Sequence, residues 1–321
     1  MRIVIMGAGA LGSVFGGYLA RAGFDVTLIG REAHVRAVQA NGLRISGEQA
    51  FVVPVRATTD AKTVTEADVL FFCVRAPNVP QALADVAHLQ PEMVASFQNG
   101  LRKDEPLLAH FGPGPVIGAT TILAARSIEP GHVRCTVMGY TWFGELDNHQ
   151  TPRLQAIVQA WRKAGLPVEV PADIHAVEWA KLAYLLPVSV LSGLTRLPYH
   201  QILQSPDLAY VFVQLAREVN KIARAYNVTI ADHPTLSLSS LLRAPFEQAV
   251  QVLAARGQAL EAAGQTDITT NMLDDLQLGR QTEIEAIAGD LVEMAHDAGL
   301  AAPAVEMVYR IIRGMDYWAR R

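Results

Sequence analysis

Two cysteines, Cys73 and Cys135, are all that 321 residues contain. They lie far apart, with no Cys-x-x-Cys and no histidine beside them. That excludes a disulfide scaffold and a zinc site of the usual spacing. Cys73 sits in an apolar run and reads as a small core residue. The nine histidines are scattered, and neither a metal-ligand spacing nor a Ser/His/Asp set emerges, so no metal is expected. Basic charge is also short: 27 Lys and Arg against 31 Asp and Glu leave a formal net charge of −4. Without a basic stripe or tail, a nucleic-acid partner is not indicated. No signal peptide and no apolar run long enough to span a membrane are read, so the expectation is a cytoplasmic chain with no membrane partner. Internal repeats and low-complexity tracts are missing too.

What the chain does have is apolar content, 50% against 18% charged, and length enough for two cores. The first half alternates strand and helix patterns. Arg2–Ile5, Asp25–Ile29, Asp68–Val74, Met93–Phe97 and Val116–Thr121 read as strands, several of them apolar throughout, as in a parallel sheet covered on both faces. His132–Val137 and Tyr140–Gly144 read as an antiparallel pair with each other. From Asp173 onward strand patterns vanish. Ile174–Leu186 is apolar at helical spacing, and Pro187 is expected to kink or end that helix. Leu208–Asn227, Leu236–Ala263, Glu283–Ala298 and Pro303–Tyr317 read as further helices. The expected architecture is α/β: an N-terminal Rossmann-type doubly wound sheet over residues 1–171 and a C-terminal all-helical domain over 172–321.

The most informative stretch is Gly7-Ala8-Gly9-Ala10-Leu11-Gly12. It follows a strand and opens a helix, the context a dinucleotide-binding G-x-G-x-x-G requires. Gly7 permits the tight turn, Gly9 lets backbone N–H groups approach a pyrophosphate, and Gly12 lets the helix pack on the strand. Ala10 and Leu11 lie in the first helical turn, whose N–H groups and partial positive charge face the phosphates. About 20 positions on, where an NAD site carries an acid for the ribose, stands Gly30, followed by Arg31. A glycine cannot repel a 2′-phosphate and an arginine can grip one, which reads as NADP(H). The alternative makes Arg31 a solvated cation and Glu32 the displaced ribose acid.

Arg75 and Asn99 lie just past strand ends, where such sheets bind ligands. Asn99 before Gly100 is equally an ordinary turn dipeptide, and Arg75 an ordinary strand-end cation. Lys181 lies in an otherwise apolar helix. A helical lysine is most often solvated, but apolar walls lower a lysine's pKa and suit it to proton donation. Glu283 follows Arg280 at helical spacing and could pair with it at the surface, or serve as the carboxylate of a helix N-terminus.

Taken together, the glycine motif, Gln98-Asn99-Gly100, Gly118-Ala119-Thr120-Thr121, Glu178-Trp179-Ala180-Lys181-Leu182-Ala183 and the tract from Asn271 through Gly279-Arg280-Gln281-Thr282-Glu283-Ile284 to Gly289 resemble the ketopantoate reductase family over nearly the whole length. The resemblance implies NADPH-dependent reduction of a 2-keto acid to a 2-hydroxy acid in the cleft between two domains, with 2-dehydropantoate as substrate and pantoate as product. It implies that Lys181 protonates the ketone oxygen, that Glu283 binds the substrate hydroxyl, and that Asn99 lies near the nicotinamide and the reacting carbonyl. Arg31 matches the 2′-phosphate arginine, and Arg75 stands where many members have lysine. Three positions depart from the pattern. Leu185 and Ser189, four and eight residues beyond Lys181, replace asparagines that contact substrate, and Asn271 replaces a serine that meets the substrate carboxylate. Leu185 and Ser189 favour a paralogue acting on another small 2-keto acid; a non-catalytic NADP(H) sensor is the remaining alternative. The long apolar helices of the second domain could serve a homodimer interface or only a core.

Overall fold

The computed structural model describes residues 1–319; residues 320 and 321, the end of the second expected domain, lie outside the described residues. Contacts divide the chain into two compact units, Met1–Gln98 with Lys103–Ile174, and Asn99–Arg102 with His175–Arg321.

The first unit begins β1 (Arg2–Met6), α1 (Ala10–Arg21), β2 (Asp25–Ile29), α2 (Glu32–Asn41), β3 (Leu43–Gly47), β4 (Phe51–Val53), β5 (Arg56–Thr58), β6 (Val69–Phe72), α3 (Val79–Asp85), β7 (Met93–Ser96) and α4 (Glu105–Phe111). Strands β5-β2-β1-β6-β7 form one sheet in that order, and every pairing in it is parallel. The strand order reverses on either side of β1, so the carboxyl end of β1 is the switch point where ligands bind in doubly wound sheets. Strands β6 and β7 are buried at every position, as their unbroken apolar sequences require. Behind them Phe71, Phe97, Phe143 and Trp161 interlock, with Phe143 and Trp161 edge to face at 4.9 Å.

The unit continues with β8 (Ile117–Thr121), β9 (Ala124–Glu129), β10 (His132–Val137), β11 (Thr141–Glu145), α5 (Pro152–Lys163) and β12 (Val168–Glu169). Here the sequence expectation fails: β10 and β11 do not pair with each other. β10 pairs antiparallel with β9 and parallel with β3, whereas β11 pairs antiparallel with β8 and parallel with β12. The cause is the tight turn at Pro130-Gly131, with Gly131 at φ +80°, which folds β9 onto β10 and leaves β11 to a different sheet.

The second unit contains α6 (Ile174–Thr195, entered at its first residue from the first unit), α7 (Tyr199–Gln204), α8 (Pro206–Ala225), α9 (Ser239–Arg243), α10 (Phe246–Ala262), α11 (Asn271–Gln277), a π-helical turn (Glu285–Gly289), α12 (Asp290–Asp297) and α13 (Pro303–Ala319). α6 runs unbroken through Pro187. The proline removes one helical hydrogen bond, but Leu186, Val190 and Leu191 on either side of it are buried, and packing of that kind overrides local preference. α6 is long and apolar enough to cross a membrane by length and composition, yet 78% of its apolar window is buried inside the chain. The helix expected over Leu236–Ala263 is two helices, because Pro245 ends one and opens the other. Buried Glu218 of α8 accepts from the backbone N–H groups of Ala304 and Val305 at 3.2 and 2.9 Å, which satisfies the start of α13.

Candidate active site

At the carboxyl end of β1 the chain turns sharply. Gly7 has φ +111°, and a Cβ there would lie 2.7 Å from the backbone of Cys73 and Val74. The N–H groups of Gly7 and Ala8 both donate to Ile29 O, at 3.0 and 2.8 Å, which ties the turn to β2. Gly12 is pressed against the same turn, since a Cβ on it would meet Gly7 O at 2.3 Å. Gly9 differs: a Cβ there would meet nothing within 4 Å. Gly9 is the N-cap of α1, with no side-chain cap and no acid in the first turn. The N–H groups of Ala10, Leu11 and Gly12 in that first turn have no acceptor within the helix, and the positive helix end lies beside the open space at Gly9. Such a cradle fits a diphosphate.

At the end of β2 a Cβ on Gly30 would lie 2.6 Å from that of Ala8. The glycine turn itself thus forbids a side chain where an NAD-type acid would stand. Arg31 follows as the exposed N-cap of α2. The alternative ribose acid, Glu32, is held in an exposed pair with Arg36 one turn along. Arg75, half-buried past β6, caps a short 3-10 turn over Ala76–Asn78.

In the second unit, Asn99 Nδ2 donates to Glu283 Oε2 at 3.3 Å. Two local devices set this contact. Gly100 has φ +99° and lies so close to the π-helical turn that a Cβ would meet Ala286 O at 2.6 Å. Thr282 is buried, and both its N–H (3.2 Å) and its hydroxyl (2.8 Å) donate to the carboxylate of buried Asp316. The Thr282 oxygen in turn accepts from Ile284 N at 3.3 Å. Asp316 therefore fixes the residue before Glu283, a role no motif announced. A π-helical turn just after such a residue is a feature often found at functional sites. Arg280 does not pair with Glu283; its Nε donates to Asp275 Oδ1 at 3.1 Å.

Lys181, Leu185 and Ser189 occupy one stripe of α6, at steps of four residues. Lys181 and Leu185 are half-buried, and Ser189 is buried. Asn271 is the exposed first residue of α11. That helix lies on α6, with Leu276 and Met272 against Gly193. The structure thus joins Asn99 to Glu283 and ranges Lys181 with Leu185 and Ser189. Arg31 and the glycine turn lie in the other unit. Among the described residues no group of three His, Cys, Asp or Glu side chains is placed to hold a metal ion.

Two family models match the chain: "Ketopantoate reductase PanE/ApbA" over residues 3–148, and its C-terminal counterpart over residues 173–316. A curated 2-dehydropantoate 2-reductase of Pyrococcus abyssi is 28% identical, covering 98% of each chain. Among solved structures, a PanE/ApbA family ketopantoate reductase from Ralstonia eutropha JMP134 superposes with TM-score 0.84 and 27% identity over the full length of both chains. A D-mandelate dehydrogenase solved with NADH and anilino(oxo)acetate shares the fold, with TM-score 0.84 at 18% identity over all of both chains.

Proposed function

The chain belongs to the ketopantoate reductase family, and from that premise we propose that it reduces a 2-keto acid, 2-dehydropantoate, to the 2-hydroxy acid pantoate with NADPH. The observation that carries this reading is the match of both family models, one over each half of the chain. The cofactor is assigned to residues 1–171 and the substrate to residues 172–321.

A reduced nicotinamide, when bound, supplies the hydride. Gly7, Gly9 and Gly12, with the N–H groups of Ala10 and Leu11, hold the diphosphate. Arg31 takes the 2′-phosphate at the start of α2, where Gly30 leaves no carboxylate to repel it, and Arg75 adds a second cation at the neighbouring strand end. Lys181 delivers a proton to the ketone oxygen, and its charge stabilises the alkoxide as it forms. Glu283, oriented by Asn99, accepts a hydrogen bond from the substrate hydroxyl. Asn271, at the head of α11, faces the substrate side.

A second reading is favoured by Leu185. An alkyl group one turn beyond Lys181 offers a substrate hydroxyl no partner, and an unpaired polar group is costly. It suits a related 2-keto acid lacking that hydroxyl, with Ser189 one turn further. The test is NADPH oxidation by the purified protein against a panel of 2-keto acids that includes 2-dehydropantoate. Turnover of 2-dehydropantoate supports the first reading, turnover of another keto acid alone the second, and turnover of none refutes both.

A further inference from the structure

A 2-keto acid carries a full negative charge beside its ketone, and the substrate-side residues assigned so far supply one cation, Lys181, already committed to the ketone oxygen. Asn271 brings only a neutral amide. A second cation lies nearby. Arg256 of α10 is half-buried, with its guanidinium carbon 4.9 Å from the ring centre of Tyr184. Tyr184 stands three residues after Lys181 on α6, so the two side chains are neighbours on the helix surface. Tyr199 of α7 meets Tyr184 edge to face at 6.2 Å, and its own N–H donates to Ile268 O at 2.9 Å, on the segment leading into Asn271.

The polar balance of this cluster is one-sided. The hydroxyls of Tyr184 and Tyr199 are both buried without a hydrogen-bond partner. Burial pushes the Tyr184 phenol up to about 12, with the Arg256 charge pulling against it, so the group stays protonated and is a donor. Two acids of the packed helices are engaged elsewhere: Glu261 with Gln204, and Glu218 with the start of α13. Two buried phenolic O–H groups without an acceptor thus belong to adjoining rings, one of which carries a guanidinium over its face, and buried donors need an acceptor.

We propose that Arg256, with the hydroxyls of Tyr184 and Tyr199, binds the carboxylate of the 2-keto acid. This inference rests on the reductase reading above. Arg256 is then a substrate-binding residue, and its planar fork grips the carboxylate in two-point fashion while Lys181 faces the ketone.

The test is steady-state kinetics of Arg256→Gln and Arg256→Lys with whichever 2-keto acid the wild type turns over, alongside NADPH binding. The expected result for Arg256→Gln is a rise in KM of roughly thirtyfold or more, with a smaller change in kcat and an unaltered cofactor affinity. Arg256→Lys should recover part of the loss. An unchanged KM in Arg256→Gln overturns the assignment. If that variant does not fold, a crystal structure of the wild type with NADP and oxamate decides: the oxamate carboxylate on Arg256 supports the proposal, and its placement on Asn271 alone overturns it. Failure of the wild type to reduce any 2-keto acid is a separate result, which refutes the reductase reading itself.

Discussion

Asn99 and Glu283 are 184 residues apart in sequence and joined by a 3.3 Å hydrogen bond. The amide donates to the carboxylate, so one Glu283 oxygen is held in place and the other remains able to accept from a ligand. The contact depends on Gly100 fitting against Ala286 and on Thr282 being clamped by Asp316. Glu283→Ala should therefore lower kcat/KM for the keto acid by about tenfold to a hundredfold and leave the NADPH dissociation constant within about twofold. A large loss of cofactor affinity would remove Glu283 from the substrate side.

Lys181→Ala tests the proton donor. Turnover should fall by about a hundredfold to ten-thousandfold, while NADPH still binds. A variant that keeps near-wild-type turnover would return Lys181 to the status of an ordinary half-buried lysine.

Arg31→Ala should weaken NADPH by about tenfold to a hundredfold and NADH hardly at all, because only the former carries the phosphate that a charge-assisted bond would hold. Titration of both cofactors by fluorescence measures this. Equal losses would point to a structural role at the start of α2.

His34 gives a pH prediction. Gly131 N donates to His34 Nδ1 at 3.2 Å, so the proton lies on Nε2, which faces buried Ser13 Oγ at 3.1 Å. The ring joins α1, just after the glycine turn, to the β9–β10 hairpin. Burial holds its pKa below the ordinary 6.5. Between the lowered value and 6.5 the unfolded chain binds more protons than the folded one, so stability rises with pH there. The contribution is complete above pH 6.5 and drains away as pH falls through the folded pKa. Thermal midpoints should drop below pH 6.5 in the wild type and drop less in His34→Gln. Parallel acid profiles for the two proteins would count against the assignment.

The parts of this fold that were readable from sequence are those whose cause is local. The apolar runs of β6 and β7 fit only a covered parallel sheet, and the glycines of the first turn sit where a strand meets a helix. β9 was missed because five of its six residues are exposed, so it carries neither alternation nor an apolar run. The β10–β11 pairing was misread because proximity in sequence does not fix which sheet a strand joins. Pro187 misled because burial around α6 outweighs one lost hydrogen bond. At the candidate site, Lys181 and Glu283 stood out through their neighbours in sequence. Asp316 and Arg256 did not, because what distinguishes them is a partner on a distant helix: Thr282 for one, and the ring of Tyr184 for the other.

The close approach of Ala8 to Gly30 constrains the order in which this chain can change. A carboxylate at position 30 would need a Cβ that lies 2.6 Å from Ala8 Cβ, so Gly30→Asp alone disturbs the glycine turn before it can alter any preference. Ala8→Gly must come first. The two positions form an epistatic pair, and a cofactor-switching library built from single substitutions would discard the productive aspartate as a folding defect.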